Sequence, residues 1–292
     1  MKRRSVDEST AEIKARVLVS KVKPKTIPVS VDAYVNYVGA VLRHQADLGQ
    51  DEPGWSFENA GKEYICVNAN DSAERQRFTI CHELGHIVLR LRSDHKALPW
   101  WSYVKRPPEE ICCDVFAAEL LLPINLFKPL AEQQTISFAA VDELAAKFEA
   151  SRTATGSRFV AAIRTPCAFV LSEKGKIRYA TRSGSLRDAN AWIQPRICLP
   201  KGSVSERVRA GAECGGPEQI DADEWFSAWE RGGVLQEEAR HLERWDQTLS
   251  LLWFENDKIP PAMDGSSEEE GEDELLKELE GILPWPNRKC RR

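Results

Sequence analysis

Apolar residues in the first third of the chain recur at the spacing of one helical face. Ile80, Leu84, Ile87, Val88 and Leu91 follow steps of i, i+4, i+7, i+8 and i+11. This stripe is typical of a helix that packs one side against a core. The run continues to position 98 without a proline. It therefore predicts a long amphipathic helix whose polar residues lie beside a buried stripe.

A second helix is predicted for PPEEICCDVFAAELLLP, residues 107–123. Prolines suit the first turn of a helix, and the acidic pair that follows them favours the positive end of the helix dipole. Pro123 ends the element. Its apolar stripe consists of Cys113, Ala117, Leu120, Leu121 and Ile124.

Shorter elements surround these two helices. Residues 10–22 and 29–43 have apolar positions at helical spacing, the second run ending in Val41–Leu42. WSFENAG and YICVN read as two short strands joined around Gly61. Further on, ISFAAVDELAAKFEASRTATGSRFVAA predicts two helices broken near Glu149–Ser151, a pattern that resembles a helix-turn-helix.

The pattern changes from helical to alternating after Cys167. CAFVLSEKGKIRYATRS predicts a hairpin with Lys174-Gly175 at its turn. We expect further strands at Ile197–Leu199 and Leu249–Phe254, and helices in DADEWFSAWER and QEEARHLERW. The tryptophans of this region are expected to fill a core rather than form a ligand cage; they are Trp225, Trp229, Trp245 and Trp253.

Charge separates the last segment from the rest of the chain. The whole sequence of 292 residues carries −5, but residues 264–280 alone carry −8, which leaves the remainder slightly basic. So acidic a segment does not bury enough apolar surface to fold, and it is expected to be a disordered tail. The N-terminus lacks a signal-peptide core and no apolar run is long enough for a membrane span. We therefore expect a cytoplasmic protein with no membrane partner, in which the eight cysteines are free thiols.

The chemistry is concentrated in His82-Glu83-Leu84-Gly85-His86. Residues four apart lie on one face of a helix, so the imidazoles of His82 and His86 can hold one metal ion. Glu83 lies one step round the helix, where it can take a proton from water bound to that ion. Hydrogen-bonding histidines on a helix surface are the alternative interpretation, and we favour the metal site.

A catalytic zinc needs a third protein ligand and an open position. Glu110 and Asp114 lie one turn apart on a flanking face of the second helix, so either side chain could reach the ion. Asp114 could instead orient one of the histidines from behind, a common supporting role. Glu109 and Glu119 are better explained as solvated or capping groups.

The pairing of RxRFTxxHELGH with ExxCDxFAAELLLP resembles the ImmA/IrrE family of metallopeptidases, also called DUF955. The resemblance implies that His82 and His86 bind zinc, that Glu83 is the catalytic glutamate and that Glu110 is the third ligand. The motifs cover residues 74–124, and a weaker likeness extends from about residue 10 to about 255. The departures from the family pattern are Cys113 for alanine, Asp114 for asparagine and Leu122 for methionine.

The resemblance and the patterns together predict an α+β protein. We expect a zincin-like metallopeptidase domain with a small antiparallel sheet at 1–130, and a helix-turn-helix-like segment at 131–166. A smaller α+β domain, a candidate sensor, follows at 167–257, and the acidic tail occupies 258–292.

The expected function is a zinc-dependent endopeptidase, with Mn²⁺ or another divalent ion as an alternative cofactor. The resemblance implies a narrow substrate, a helix-turn-helix transcriptional repressor whose cleavage would induce stress-response or mobile-element genes. One alternative is a non-catalytic, metal-containing transcriptional regulator that binds DNA or a sensor ligand. Direct DNA binding is the weaker interpretation because only Arg152, Arg158 and Arg164 would supply a basic surface. Another alternative is a metallohydrolase of a non-peptide bond.

The loop between the two ligand helices offers aromatic residues. Trp100, Trp101 and Tyr103 could form the wall of a substrate pocket, and Tyr103 or His95 could stabilise an oxyanion. A surface loop anchored by its aromatic side chains is the favoured interpretation.

Overall fold

A computed structural model describes residues 6–49, 52–91, 107–213, 215–255 and 258–261, all of them within one compact unit, Met1–Pro261. The helices are α1 Glu8–Val22, α2 Val31–Val38, α3 Ala73–Leu89, α4 Pro108–Leu121, α5 Ile124–Ala131, α6 Phe138–Phe148, α7 Arg152–Ala162, α8 Gly184–Asp188, α9 Val204–Arg209 and α10 Ala222–Trp225. The strands are β1 Val41–Gln45, β2 Gly54–Asn59, β3 Lys62–Asn68, β4 Cys167–Glu173, β5 Lys176–Arg182, β6 Glu218–Asp221, β7 Val234–Leu242 and β8 Gln247–Trp253. None of the helices in these ranges is long and apolar enough to cross a bilayer.

A three-stranded sheet supports α3, with strand order β1-β3-β2. β2 and β3 form the predicted antiparallel hairpin, and Ser56 pairs with Ile65 in its register. α3 packs against β2 and β3, α4 packs against α3, and α1 packs against α4. The long helix and the second helix of the sequence prediction are thus neighbours. This contact places their polar side chains opposite each other.

The prediction that the helix at 29–43 includes Val41–Leu42 was wrong. α2 ends at Gly39, whose φ of +80° lies in the left-handed region that glycine adopts at low cost. The chain then turns into β1, which pairs parallel to β3 with Val41 opposite Tyr64. The sheet is consequently mixed rather than purely antiparallel. A short apolar run fits a strand as well as a helix, which explains the error.

The C-terminal sheet has five antiparallel strands in the order β5-β4-β8-β7-β6. The predicted hairpin is confirmed, since β4 and β5 are joined by Lys174 and Gly175 with φ of 52° and 72°. Positive φ at both central residues matches the turn that suits the twist of two-residue hairpins. The strand predicted at Leu249–Phe254 corresponds to β8. The strand predicted at Ile197–Leu199 is reduced to an isolated bridge between Lys176 and Cys198.

The prediction of a helix in QEEARHLERW was wrong, because most of it forms β7. Glu237 in this strand is completely buried and accepts hydrogen bonds from Ser205 N at 2.8 Å and Trp225 Nε1 at 3.1 Å. In a sequence pattern, carboxylates that are buried and paired look the same as carboxylates on the solvent-facing side of a helix. The helix predicted in DADEWFSAWER is limited to the four residues of α10.

Side chains from the whole unit share one large core. It includes Ala11 of α1, Phe116 of α4, Phe148 of α6 and Phe169 of β4, none of them exposed. A second cluster on the C-terminal sheet contains Trp225 and Trp229, as expected for core tryptophans; Trp253 packs against the large core.

The predicted α+β class is confirmed, and the two helices with a break near 149–151 are α6 and α7. The domain boundaries at 130, 166 and 257 stay predictions. The acidic segment 264–280 lies outside the described residues.

Candidate metal centre

α3 carries the histidine pair into the protein interior. The hydroxyl of Ser72 caps its first turn by accepting a hydrogen bond from Arg75 N. Two turns later, His82, Glu83 and His86 are buried, with exposed fractions of 7%, 1% and 3%. Three polar side chains buried together require partners, because an unpaired polar group in the interior costs about 1–3 kcal/mol for each lost hydrogen bond.

Glu110 on α4 supplies one of these partners. Its Oε2 lies 3.0 Å from His82 Nε2, and its Oε1 lies 3.4 Å from His86 Nε2. The two Nε2 atoms are themselves 3.1 Å apart. The structure therefore brings together the three side chains that the sequence singled out as metal ligands.

Gly85 permits this close approach of the two helices. A Cβ at position 85 would lie 3.2 Å from both the Cα and the Cβ of Cys113 on α4. Such contacts are tighter than van der Waals packing normally allows, so any larger side chain would hold α4 away from the histidines. The glycine inside the HELGH motif thus has a packing role.

The donor set fits a zinc ion. Nitrogen and oxygen atoms bound to zinc at about 2.0–2.2 Å in a tetrahedron lie about 3.3–3.6 Å from each other. The observed separations of 3.0, 3.1 and 3.4 Å are close to that range. In addition, Glu110 Oε1 is buried without a hydrogen bond of good geometry from the described residues. Two imidazoles and a carboxylate also suit Mn²⁺, so the donors do not select one metal by chemistry alone.

Asp114 lies where the supporting role suggested by the sequence requires it to be. Its Oδ1 lies 3.0 Å from His82 Nδ1, on the side of the ring that faces away from the other donors. This contact favours a proton on Nδ1 and leaves the Nε2 lone pair directed at the donor cluster.

Carboxylates dominate the electrostatics of the cluster. Burial by itself lowers the pKa of His82, but the hydrogen bonds to Asp114 and Glu110 outweigh it and raise that pKa to about 10. Burial raises the pKa of Glu110, yet its interactions with His82 and His86 hold it far below its usual range. The site therefore attracts positive charge, which is the property that a cation-binding centre requires.

Glu83 is held from the neighbouring sheet. The hydroxyl of Ser56 on β2 donates a hydrogen bond of 2.6 Å to Glu83 Oε2. No local motif marks Ser56, which lies 27 residues before its partner, so sequence reasoning missed it. The contact fixes the carboxylate next to the histidine pair.

A family model recognises this part of the chain. Residues 36–159 match the peptidase M78 family, described as the IrrE N-terminal-like domain. This segment, somewhat less than half of the chain, is similar to the ImmA/IrrE family, and the relative described next supports the same family. The resemblance noted in the sequence is thereby confirmed.

Two known proteins extend the comparison. The radiation response metalloprotease IrrE of Deinococcus radiodurans is 28% identical over 160 residues, which are 54% of this chain and 48% of that protein. The chain thus spans about half the length of that relative. A solved structure titled Mycobacterium tuberculosis transcriptional regulator superposes with a TM-score of 0.55 at 13% identity, covering 84% of this chain and 76% of that one. At this identity the likeness shows the fold alone.

Cys113 stands where the ImmA/IrrE pattern has alanine, and its thiol lies close to the histidine pair. One ligand atom each of His82, His86 and Cys113 lies within 4.8 Å of the other two. Burial raises the pKa of the Cys113 thiol far above its usual range, and the charges of Glu110 and Asp114 add to the effect. In the sequence pattern Cys113 belongs to an apolar stripe, and it was not predicted as a ligand. Its position three residues after Glu110, on the same helical face, was the available signal.

The remaining candidates lie elsewhere. Glu109 is exposed, as expected of a solvated group. Glu119 was expected to be solvated or capping, and it is a buried cap: it accepts a hydrogen bond from Ile124 N at the start of α5 and pairs with Arg158 at 2.5 Å. His95, Trp100, Trp101 and Tyr103 lie outside the described residues.

A wide groove opens beside the donors. It has a volume of about 2360 Å³, and His82, Glu83 and Glu110 contribute to its wall. Trp55 of β2 and Tyr179 of β5 also line it, so both sheets border the same space. A groove of this size is large enough for an extended peptide of several residues.

Proposed function

We propose that this protein is a zinc-dependent endopeptidase that acts in the cytoplasm. The observation that carries the proposal is the convergence of three side chains next to the buried carboxylate of Glu83: His82 Nε2 lies 3.0 Å from Glu110 Oε2, His86 Nε2 lies 3.4 Å from Glu110 Oε1, and the two Nε2 atoms are 3.1 Å apart. Three protein donors leave a position for solvent, which is typical of catalytic rather than structural zinc sites. Zinc is the proposed cofactor, and Mn²⁺ or another divalent ion is the alternative.

In this proposal the bound cation supplies Lewis acidity, which polarises the scissile carbonyl and makes the attacking water more acidic. Glu83 takes the proton from that water and returns it to the leaving amine. Ser56 orients the accepting carboxylate through the 2.6 Å hydrogen bond to Oε2. Asp114 holds the ring of His82, so that Nε2 stays directed at the centre.

The proposed substrate is a protein, and specifically a helix-turn-helix transcriptional repressor. Support comes from the ImmA/IrrE family and from the name of its radiation response relative, a metalloprotease. The groove beside Glu83 is wide enough to admit a polypeptide segment. Cleavage of a repressor would release stress-response or mobile-element genes from repression.

The test is cleavage of purified repressors encoded next to the gene of this protein. Zinc-loaded wild-type protein is expected to cut one of them at a defined peptide bond, mapped by mass spectrometry. Glu83→Gln should bind zinc as the wild type does and cut at least about 10²-fold more slowly, since a general base contributes that much. Equal cleavage by both proteins, or cleavage that persists after chelation of the metal, would refute the proposal.

A non-catalytic regulator that binds DNA is the alternative function. It needs a basic surface on the α6–α7 pair, yet Arg152 is paired with Asp142 at 2.6 Å and Arg158 with the buried Glu119. Arginines engaged in internal ion pairs are poor candidates for phosphate contacts. Specific, salt-sensitive binding to DNA, together with full biological function of Glu83→Gln, would favour this alternative.

A further inference from the structure

Cys113 faces the histidine pair from the same helix as Glu110. The two residues are three positions apart on α4, so they share one face of that helix. The thiol is completely buried, and no water competes for it from bulk solvent. It lies among the donors because Gly85 has no side chain, which lets the backbone of α4 approach α3 more closely than a Cβ at that position would permit.

We propose that Cys113 is a fourth metal donor, which joins His82, His86 and Glu110 and closes the site in the resting protein. This inference rests on the proposed metal centre. Zinc binds thiolates at about 2.3 Å, which puts sulfur about 3.6 Å from a coordinated nitrogen. Since the ligand atoms of Cys113, His82 and His86 already lie within 4.8 Å of one another, bringing the sulfur into bonding range requires a movement of only about one ångström.

Coordination by Cys113 would replace the proton of its thiol with the metal ion. If Cys113 binds the metal, its S–H bond would break, the sulfur would take the metal in place of the proton, and the proton would leave to solvent, as it does whenever a thiol binds a metal. Four protein donors complete a tetrahedron and occupy the position that solvent needs. The thiolate of Cys113 would thus compete with solvent for the fourth position and keep the hydrolytic centre latent.

Cobalt(II) is a suitable probe because a thiolate bound to it absorbs in the near ultraviolet, whereas imidazole and carboxylate ligands do not give this charge-transfer band. We expect wild-type protein to bind one Co²⁺ per chain and to show the band. Cys113→Ala should bind one Co²⁺ without the band, and it should cleave the substrate faster than the wild type does. Alanine is the usual residue of the family at this position, so the variant is expected to fold.

Cys112→Ala is the matched control. Cys112 is the adjacent buried cysteine, and its thiol contacts Val6 O instead of the histidines. This variant should keep the band.

A wild-type protein that binds cobalt without the band would overturn the role of Cys113 and leave the metal centre intact. A wild-type protein that binds no cobalt would contradict the metal centre as well, and an unchanged band in Cys113→Ala would assign the absorption to another thiol and refute the inference.

Discussion

At the scale of single residues, the hydrogen bond from Ser56 to Glu83 makes the clearest prediction. Ser56→Ala removes a donor to a buried carboxylate, an interaction worth about 1.5–3 kcal/mol. We expect kcat to fall by about tenfold or more with little change in KM, because the bond orients the base and does not bind substrate. Ser56→Thr retains the hydroxyl and should restore most of the rate. A rise in KM at constant kcat would instead place Ser56 in substrate binding.

Asp114 supports a second prediction at this scale. Its carboxylate lies 3.0 Å from His82 Nδ1 and makes the opposite ring nitrogen a better donor. Asp114→Ala should weaken zinc binding by about 10–100-fold, the usual cost of losing such a supporting group. Asp114→Asn preserves an acceptor oxygen and should lose less. Competition with a chromophoric chelator measures both values, and wild-type affinity in Asp114→Ala would show that the contact has no such role.

Among the helices and strands, Asp142 joins three elements. From α6 it accepts hydrogen bonds from Arg152 at the start of α7 and from Arg240 on β7. Burial opposes ionisation of this carboxyl, but the two arginines lower its pKa below the ordinary value of 3.8. A lowered pKa in the folded state contributes stability that is present above pH 3.8 and disappears as the pH falls through the folded-state pKa.

Asp142→Asn therefore tests this junction through its pH dependence. We expect the free energy of unfolding to fall by about 1 kcal/mol at pH 7, the value typical of a partly exposed ion pair. The difference between variant and wild type should shrink as the pH is lowered below 3.8, where the wild-type carboxyl also becomes neutral. Urea titrations at neutral and at acidic pH provide the measurement. A difference that stays constant down to about pH 2 would contradict the electrostatic explanation.

Sequence periodicity predicted some helices and strands of this protein and not others. The helices that carry the histidines and Glu110 were predicted because their periodicity is long and uninterrupted. Strands β1 and β7 were not predicted. β1 is short and apolar, so its pattern also fits a helix, and β7 buries Glu237 and Glu238 against partners that are distant in the sequence. Ser56 reaches the site through tertiary packing, which local spacing does not encode. The histidine pair, by contrast, is a local motif on one helical face.

At the scale of the whole molecule, α7 packs on β4 and β5 of the C-terminal sheet, and its Arg158 forms an ion pair with Glu119 of α4. Gly156 of α7 packs directly on the ring of Phe169 in β4, and a Cβ there would lie 2.4 Å from a ring carbon. Gly156→Ala should destabilise the protein by about 2–3 kcal/mol, as overpacking of a rigid core does. Phe169→Leu makes room and should reduce the effect of the alanine. Additive changes in the double variant, measured by denaturant titration, would exclude a direct clash.

The proposed chemistry depends on one cation held between α3 and α4. X-ray diffraction from crystals of the zinc-loaded protein, recorded at the zinc absorption edge, locates that ion directly. We predict a single anomalous peak within about 2.0–2.2 Å of His82 Nε2, His86 Nε2 and a Glu110 oxygen. A fully loaded crystal with no peak at this position, or with Glu110 outside bonding distance of it, would contradict the proposed centre.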